Sequence, residues 1–214
     1  GSATLSGGES QRISLSTCLG SALVGSTYVL DEPSIGLHPQ DTHRLISVLY
    51  GLRDKGNTVV VVEHDDDIMA AADNLIDMGP QAGTFGGEVV FSGNHSQLKK
   101  LPKNHKSLTA AYLTGRLEIA TPQVRRTSND VIQIKGARAN NLKGFDAVFP
   151  LHCLVAVTGV SGSGKSTLVS EILVPAVKAQ ISDFPPFSNG LDGIEGNIGT
   201  ISSLEFIDQN PIGR

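Results

Sequence analysis

Short runs of apolar, strand-forming residues alternate along this chain with longer amphipathic stretches. The run TVVVV at residues 58–62 is too rich in β-branched side chains for a helix, and it predicts a central strand of a parallel sheet. The run at residues 27–30 ends in an acidic pair and predicts a second buried strand. Further strands are predicted at residues 86–91, 131–135, 151–158 and 204–208.

Several of these runs are followed by segments whose apolar residues are spaced as on one face of an α-helix. Residues 41–53 have an amphipathic pattern that ends before Gly56, and residues 66–72 form a shorter candidate. Residues 165–173 predict a helix that Pro175 ends or kinks. Strands that alternate with helices in this way predict an α/β fold with a mixed, mostly parallel sheet and flanking helices.

The composition restricts the class of protein. The chain has 214 residues with a net charge of −4, which is long enough for one or two domains with a core. It has no apolar stretch near 18 residues and no signal-peptide pattern, so we expect a cytoplasmic protein without a membrane partner. Cys18 and Cys153 lie far apart without zinc-type spacing, which predicts reduced thiols and no zinc. The start Gly1-Ser2-Ala3 predicts an excised segment.

Positive charge is concentrated in the middle of the chain. Residues 93–143 hold ten Lys or Arg residues and two Asp or Glu residues, whereas both flanks are acidic. Residues 93–130 also lose hydrophobic periodicity, which predicts a basic linker with one short helix near residues 107–113. The charge indicates either phosphate contacts or a solvated linker, and the scarcity of aromatic residues favours the solvated linker.

The sequence GVSGSGKS at residues 159–166 matches the phosphate-binding pattern G-x-x-x-x-G-K-[ST] in full. Glycines let backbone N–H groups surround a phosphate, and the following helix adds positive potential. We expect Lys165 to reach the β- and γ-phosphates of ATP and the Ser166 hydroxyl to bind Mg²⁺. The residues predicted to bind nucleotide here are Gly159, Ser161, Gly162, Gly164, Lys165, Ser166 and Thr167.

The sequence LSGGE at residues 5–9 predicts a second anion site. Ser6, Gly7 and Gly8 stand at the start of a predicted helix over residues 8–20, where free N–H groups favour an anion. Such a helix start is suited to the γ-phosphate of a nucleotide that an opposing lobe holds. A plain helix cap is the alternative, and the Gln-Arg pair that follows favours the phosphate role.

Polar residues follow three of the predicted strands. We expect Asp31 to position Mg²⁺ and Glu32 to orient and deprotonate the attacking water. His64 is expected to sense the γ-phosphate. Gln209 is a candidate contact for Mg²⁺ and the water. Together with the lysine loop and LSGGE, these residues are the motifs of an ABC-type ATPase.

The order of these motifs differs from that of a single ABC-type unit, in which the lysine loop comes first. The chain resembles the UvrA family of damage-sensing ATPases in bacterial nucleotide excision repair, in segments such as TLSGGESQRISL, LIDMGPQAG, GARANNLK and VAVTGVSGSGKSTL. The resemblance covers nearly the whole chain and is weakest at residues 93–130 and 176–200. Members of this family carry two ATPase units in one polypeptide, which explains the order.

The resemblance implies a division into three parts. Residues 1–92 would end the first ATPase unit, residues 93–130 would form the linker, and residues 131–214 would begin the second unit. For the longer protein it implies ATP hydrolysis with Mg²⁺, a homodimer, and damaged double-stranded DNA and UvrB as partners bound outside this segment. The segment alone is expected to bind ATP and hydrolyse it poorly, because neither site is complete.

Two pairings of the half-sites remain open. In the native cross-unit arrangement, Lys165 faces Ser6. In a permuted pseudo-unit, Lys165 and Ser166 lie beside Asp31, within one chain or by exchange between two chains. The alternative functions are an ABC-type transporter ATPase, a drug-resistance ATPase and a non-hydrolytic, nucleotide-gated interaction module.

Overall fold

The computed structural model describes residues 23–182 and 187–207. The chain divides into two compact units, Gly1–Pro122 and Gln123–Arg214. Four predicted site residues, Ser6, Gly7, Gly8 and Gln209, lie outside the described residues, as does the helix predicted over residues 8–20.

The first unit contains two small sheets with helices beside them. Its strands are β1 (Thr27–Asp31), β2 (Thr58–Val62), β3 (Leu75–Gly79) and β4 (Glu88–Gly93). Its helices are α1 (Pro39–Asp54), α2 (Asp66–Ala71), α3 (His95–Lys99) and α4 (Leu108–Leu113), with a 3₁₀ turn at Gly83–Phe85. Strands β1 and β2 pair in parallel, whereas β3 and β4 are antiparallel.

One face of the β1–β2 sheet forms the core of the first unit. Leu45 and Leu49 lie one turn apart on α1 and are buried with Ile68 of α2. Alternate strand residues, including Leu30 and Val59, pack against this cluster. The opposite face stays open, since its side chains Val29, Val60 and Val62 are 69%, 46% and 50% exposed. The two predicted strands are therefore present and parallel, but the described sheet has only these two strands, so neither is central and only one face is covered among the described residues.

Residues 93–122 belong to the first unit, although the sequence predicts that they are part of a linker. Helix α3 begins with a capping box in which Asn94 and Gln97 satisfy each other's backbone N–H groups. Leu98 of α3 and Ala110 of α4 are 1% and 0% exposed. These two buried side chains anchor a stretch whose overall composition is polar.

The second unit is built around a central antiparallel strand. Its strands are β5 (Val131–Ala137), β6 (Phe145–Pro150) and β7 (Gly193–Gly196), in the order β6–β5–β7. A π-helical segment, Thr167–Leu173, leads into α5 (Val174–Ile181), and a 3₁₀ turn spans Ile198–Thr200. Ile134 of β5 and Ile172 of the π-helical segment are both 0% exposed at the centre of its core.

Pro175 widens its helix but does not end it. A proline lacks an N–H group and crowds the carbonyl four residues earlier, so it does not fit a regular α-helix interior. Just before it, the Val174 N–H bonds the Val169 carbonyl five residues back, which is π-helical spacing. The helix predicted to end or kink at this proline continues to Ile181.

The strand pairing differs from the mostly parallel sheet that we predicted. Among the described strands one pair is parallel and three pairs are antiparallel. Residues 154–158 and 204–207 form no described strand, and Leu154 is fully exposed. Their apolar pattern suits a parallel strand with neighbours on both sides, and no described residue supplies that pairing. None of the described helices combines the length and the apolar character that a membrane crossing requires.

Candidate functional site

The predicted site residues fall into two groups, one in each unit. Asp31 is the last residue of β1, Glu32 follows it, and His64 lies just after β2 in the first unit. The lysine loop at residues 159–166 precedes the π-helical segment of the second unit. Since the carboxyl ends of parallel strands share one edge of a sheet, the first group is brought together by the β1–β2 pairing.

Glu32 and His64 form a close pair at this edge. The Glu32 Oε1 atom lies 3.4 Å from the His64 Nε2 atom, and the two side chains are 47% and 81% exposed. The Glu32 N–H donates to the Val62 carbonyl at 2.9 Å, which extends the sheet by one residue beyond Asp31. A carboxylate and an imidazole placed so close, and open to solvent, can orient a water molecule and exchange its proton.

The backbone of Glu32 is in the left-handed region, with φ of 44°. A non-glycine residue pays about 1 kcal/mol or more for this conformation. Such strain persists where the surroundings determine it, and it is common at functional sites. The turn that follows is closed by the Ile35 N–H, which donates to the Glu32 carbonyl at 3.1 Å.

Glu63 is a residue of this edge that the sequence interpretation missed. Its Oε1 atom accepts the Ser34 N–H at 2.7 Å, and its Oε2 atom accepts the N–H groups of His64 and Asp65 at 3.0 and 3.3 Å. Burial raises the pKa of Glu63, but hydrogen bonds from the Ser34 side chain and from the three N–H groups outweigh it, so the pKa lies below its ordinary value. A charged residue directly after the apolar TVVVV run was the available sequence signal.

The lysine loop is compact and glycine-dependent. Gly159, Gly162 and Gly164 have φ of 146°, 75° and 97°, so each lies in a region that L side chains rarely adopt. A Cβ atom on Gly164 would meet Leu142 Cδ2 at 2.7 Å. The Lys165 Nζ atom donates to the carbonyls of Gly159 and Val160 at 2.8 and 2.9 Å. The ammonium therefore lies within the loop that the phosphate pattern predicts.

Two asparagines outside the phosphate motif support this loop. Asn141 Nδ2 donates to the Gly162 carbonyl at 2.8 Å, and Asn140 Nδ2 donates to the Thr167 hydroxyl at 3.3 Å and to Glu171 Oε2 at 2.9 Å. Asn140 has φ of 50°, a conformation that asparagine tolerates better than most residues. Thr167 is 8% exposed, and its hydroxyl accepts the hydrogen bond from Asn140.

The donor set suits a nucleotide with Mg²⁺. The carbonyls of Gly159 and Val160 hold Lys165 Nζ, and the positive-φ glycines give the loop the kind of backbone in which N–H groups can surround a phosphate. The Ser166 hydroxyl at the start of the helical turn is a hard oxygen donor of the kind that Mg²⁺ prefers. In the part of the chain that the structure describes, no group of three or more His, Cys, Asp or Glu side chains could hold a metal ion.

Comparisons with known proteins place the whole chain in one family, although no protein-family model matches it. It is 55% identical over all 214 residues to UvrABC system protein A of Staphylococcus epidermidis and 53% identical to that of Staphylococcus aureus. The crystal structure of UvrA2 from Deinococcus radiodurans superposes with a TM-score of 0.87 at 45% identity, over 98% of this chain and 24% of that one. The chain spans 22% of the length of the curated relatives it matches. The agreement of sequence and fold over this span shows that the chain belongs to the UvrA family.

Proposed function

We propose that this chain is the nucleotide-binding segment of a longer UvrA-type ATPase that acts in nucleotide excision repair. The observation that carries the proposal is the geometry of the lysine loop, which contains three positive-φ glycines and holds Lys165 Nζ against the carbonyls of Gly159 and Val160. The family membership supports ATP as the nucleotide and Mg²⁺ as its ion. In this proposal, the residues up to about 92 form the end of one ABC-type unit, and the residues from about 131 form the start of a second.

The described residues would contribute to two different ATP sites, with one half-site in each unit. Lys165 would neutralise the β- and γ-phosphates, and Ser166 would hold Mg²⁺. In the first unit, Asp31 would position Mg²⁺, Glu32 would take a proton from the attacking water, and His64 would contact the γ-phosphate. Mg²⁺ supplies charge neutralisation on the phosphates when it is bound.

Ser6, Gly7 and Gly8 of the LSGGE sequence, together with Gln209, complete the proposed set. Ser6 and its glycines would grip the γ-phosphate of a nucleotide bound by an opposing unit. Gln209 would contact Mg²⁺ and the water. Lys165 faces Ser6 in the native cross-unit arrangement and Asp31 in the permuted one. A cross-link between cysteines introduced at positions 6 and 161 would support the cross-unit arrangement. A cross-link between cysteines at positions 31 and 161 would support the permuted one.

Other parts of the longer protein would bind the partners of the repair reaction. We propose that the longer polypeptide forms a homodimer in the cytoplasm, senses damaged double-stranded DNA and engages UvrB. A repair role, as opposed to transport or drug resistance, predicts that loss of the full-length protein sensitises cells to ultraviolet light and that a version with Lys165→Ala does not restore survival.

The first test is nucleotide binding by the chain itself. Lys165→Ala removes the ammonium from the loop and should weaken Mg²⁺-ATP binding by about tenfold or more, because a hydrogen bond to a charged group contributes about 1.5–3 kcal/mol. Lys178→Ala, on the exposed side of α5, is the matched control. Isothermal titration of ATP measures both. Equal affinities of the two variants would contradict the proposal.

The same preparation tests hydrolysis. We expect the 214-residue chain to release phosphate far more slowly than the full-length polypeptide, because Lys165 and Glu32 belong to different sites. Phosphate release at saturating ATP gives the comparison. Turnover by the chain that equals that of the full-length protein, and that Lys165→Ala abolishes, would show that the segment contains a complete site.

A further inference from the structure

We propose that Glu63 is a positioning residue whose carboxylate fixes the Glu32 turn and the His64 turn to one another. The inference deepens the proposed function, since it assumes that Glu32 and His64 serve ATP hydrolysis. It assigns to Glu63 a role that is distinct from theirs. Glu63 itself does not touch the reacting groups in this assignment.

The Glu63 carboxylate bridges two loops that are distant in sequence. Its Oε1 atom accepts from Ser34, 29 residues away, in the turn after β1. Its Oε2 atom accepts from His64 and Asp65, in the turn after β2. One rigid, planar group therefore sets the spacing between the two turns.

The strain at Glu32 shows why the turn after β1 needs such an anchor. The left-handed φ of 44° is held on one side by the Glu32 N–H bond to Val62 and on the other by the Ser34 N–H bond to Glu63. A residue in this conformation relaxes if one restraint is lost. Release of Ser34 would therefore let the Glu32 side chain leave its place 3.4 Å from His64.

The hydrogen bonds also exclude Glu63 as a proton acceptor in the reaction. Both of its oxygens receive backbone N–H groups, and the Ser34 side chain adds a further hydrogen bond. A carboxylate that is stabilised in its charged form by several donors is a weak base. Glu32, whose side chain is 47% exposed and lies beside His64, keeps that role.

An amide cannot replace this carboxylate. A glutamine has one acceptor oxygen and one NH₂ group, so Glu63→Gln turns a donor toward the N–H of Ser34 or toward those of His64 and Asp65. One of the two turns is then released, whichever way the amide rotates. Glu63→Asp keeps both acceptor oxygens on a shorter side chain and should have an intermediate effect.

The test compares these variants in the full-length polypeptide. Glu63→Gln should lower kcat for ATP hydrolysis by about ten- to a hundredfold, because a displacement of about 1 Å at a reacting group has effects of this size. The KM for ATP should change by less than about threefold, because Glu63 does not contact the phosphates in this assignment. Glu88→Gln, an exposed glutamate of the same unit paired with Lys106 at 3.7 Å, should match the wild type.

Amide hydrogen exchange supplies a second readout that does not depend on turnover. In Glu63→Gln, peptides covering residues 33–37 and 63–66 should exchange faster, whereas peptides of α1 should not change. A general loss of stability would instead raise exchange throughout the first unit. If Glu63→Gln does not fold, Glu63→Asp carries both measurements.

The outcomes separate the two proposals. Wild-type kcat in Glu63→Gln, or a fall in kcat matched by an equal loss of folded protein, would overturn the positioning role. A wild-type protein without ATPase activity would overturn the proposed function, and amide exchange would still decide whether Glu63 holds the two turns.

Discussion

Asn141 supports the lysine loop from a segment that lies 21 residues before Gly162. Its side-chain amide donates to the Gly162 carbonyl at 2.8 Å, and its Oδ1 atom would stand 3.0 Å from a Cβ on Gly164. The loop therefore has an external restraint in addition to its glycines. Such a restraint lowers the entropy that the loop loses when a phosphate binds.

Removal of this restraint should weaken nucleotide binding moderately. We expect Asn141→Ala to raise the ATP dissociation constant about fivefold, since one hydrogen bond contributes about 1 kcal/mol. Asn129→Ala, at an exposed position of the same unit, is the control. Titration with a fluorescent ATP analogue measures the change, and identical affinities of the two variants would refute it.

The sequence motifs single out the candidate chemical side chains, but they do not identify the side chains that hold them in place. Lys165 is recognisable because glycine spacing and a following serine form a full motif. Glu63 and Asn141 have no such motif, since their role depends on distances across the fold, 29 residues to Ser34 and 21 to Gly162. Contacts of this kind depend on the tertiary structure, so local sequence patterns do not predict them.

At the scale of elements, α4 is tied to β3 through its first residues. The Ser107 hydroxyl accepts the Ala110 N–H at 2.9 Å as the helix cap and donates to Asp77 Oδ2 at 2.6 Å. Thr109 donates to the other oxygen of Asp77 at 2.7 Å. This short helix of six residues would be marginal in water, so its stability comes from these bonds and from buried Ala110.

We expect Ser107→Ala to destabilise the first unit by about 1–3 kcal/mol. The change removes the cap and leaves Asp77 with one donor fewer at a site where Ser107 is 1% exposed. Urea unfolding followed by circular dichroism gives the difference. Ser47→Ala, whose exposed hydroxyl bonds only the His43 carbonyl within α1, should stay near the wild type. A similar loss in both variants would argue against the tie.

The strands show what local patterns can predict and where they fail. Strand β2 was predicted from its run of β-branched residues, and β1 from a short apolar run that ends in an acidic pair. Strands β3, β6 and β7 were missed, since LIDMG, FDAVFP and GIEG are short segments interrupted by acidic residues and by glycine or proline. Antiparallel neighbours stabilise such segments through pairing, and pairing is not visible in the segment itself.

At the scale of the whole molecule, each unit depends on its own apolar cluster. In the second unit, Ile172 is 0% exposed and packs with Ile134 and Leu168. This cluster lies directly beneath the π-helical segment that follows Lys165. The placement of the lysine loop is therefore linked to the packing of this core.

Ile172→Ala should destabilise the second unit by about 2–5 kcal/mol through the cavity that it leaves. Amide exchange in β5 and in the π-helical segment should rise accordingly, and mass spectrometry of their peptides measures it. Ile207→Ala removes the same atoms from a side chain that is 88% exposed in the same unit, so exchange there should stay unchanged. Equal protection in the two variants would rule out this cluster as the support of the loop.

The left-handed backbone of Glu32 has a consequence for anyone who seeks a more heat-resistant version of this protein. Glycine adopts φ of 44° without penalty, so a design guided by folding energy alone would favour Glu32→Gly. That design would delete the carboxylate that stands beside His64. Under the proposed role of Glu32, a gain in stability at this position would cost activity, so stabilising substitutions belong at other positions.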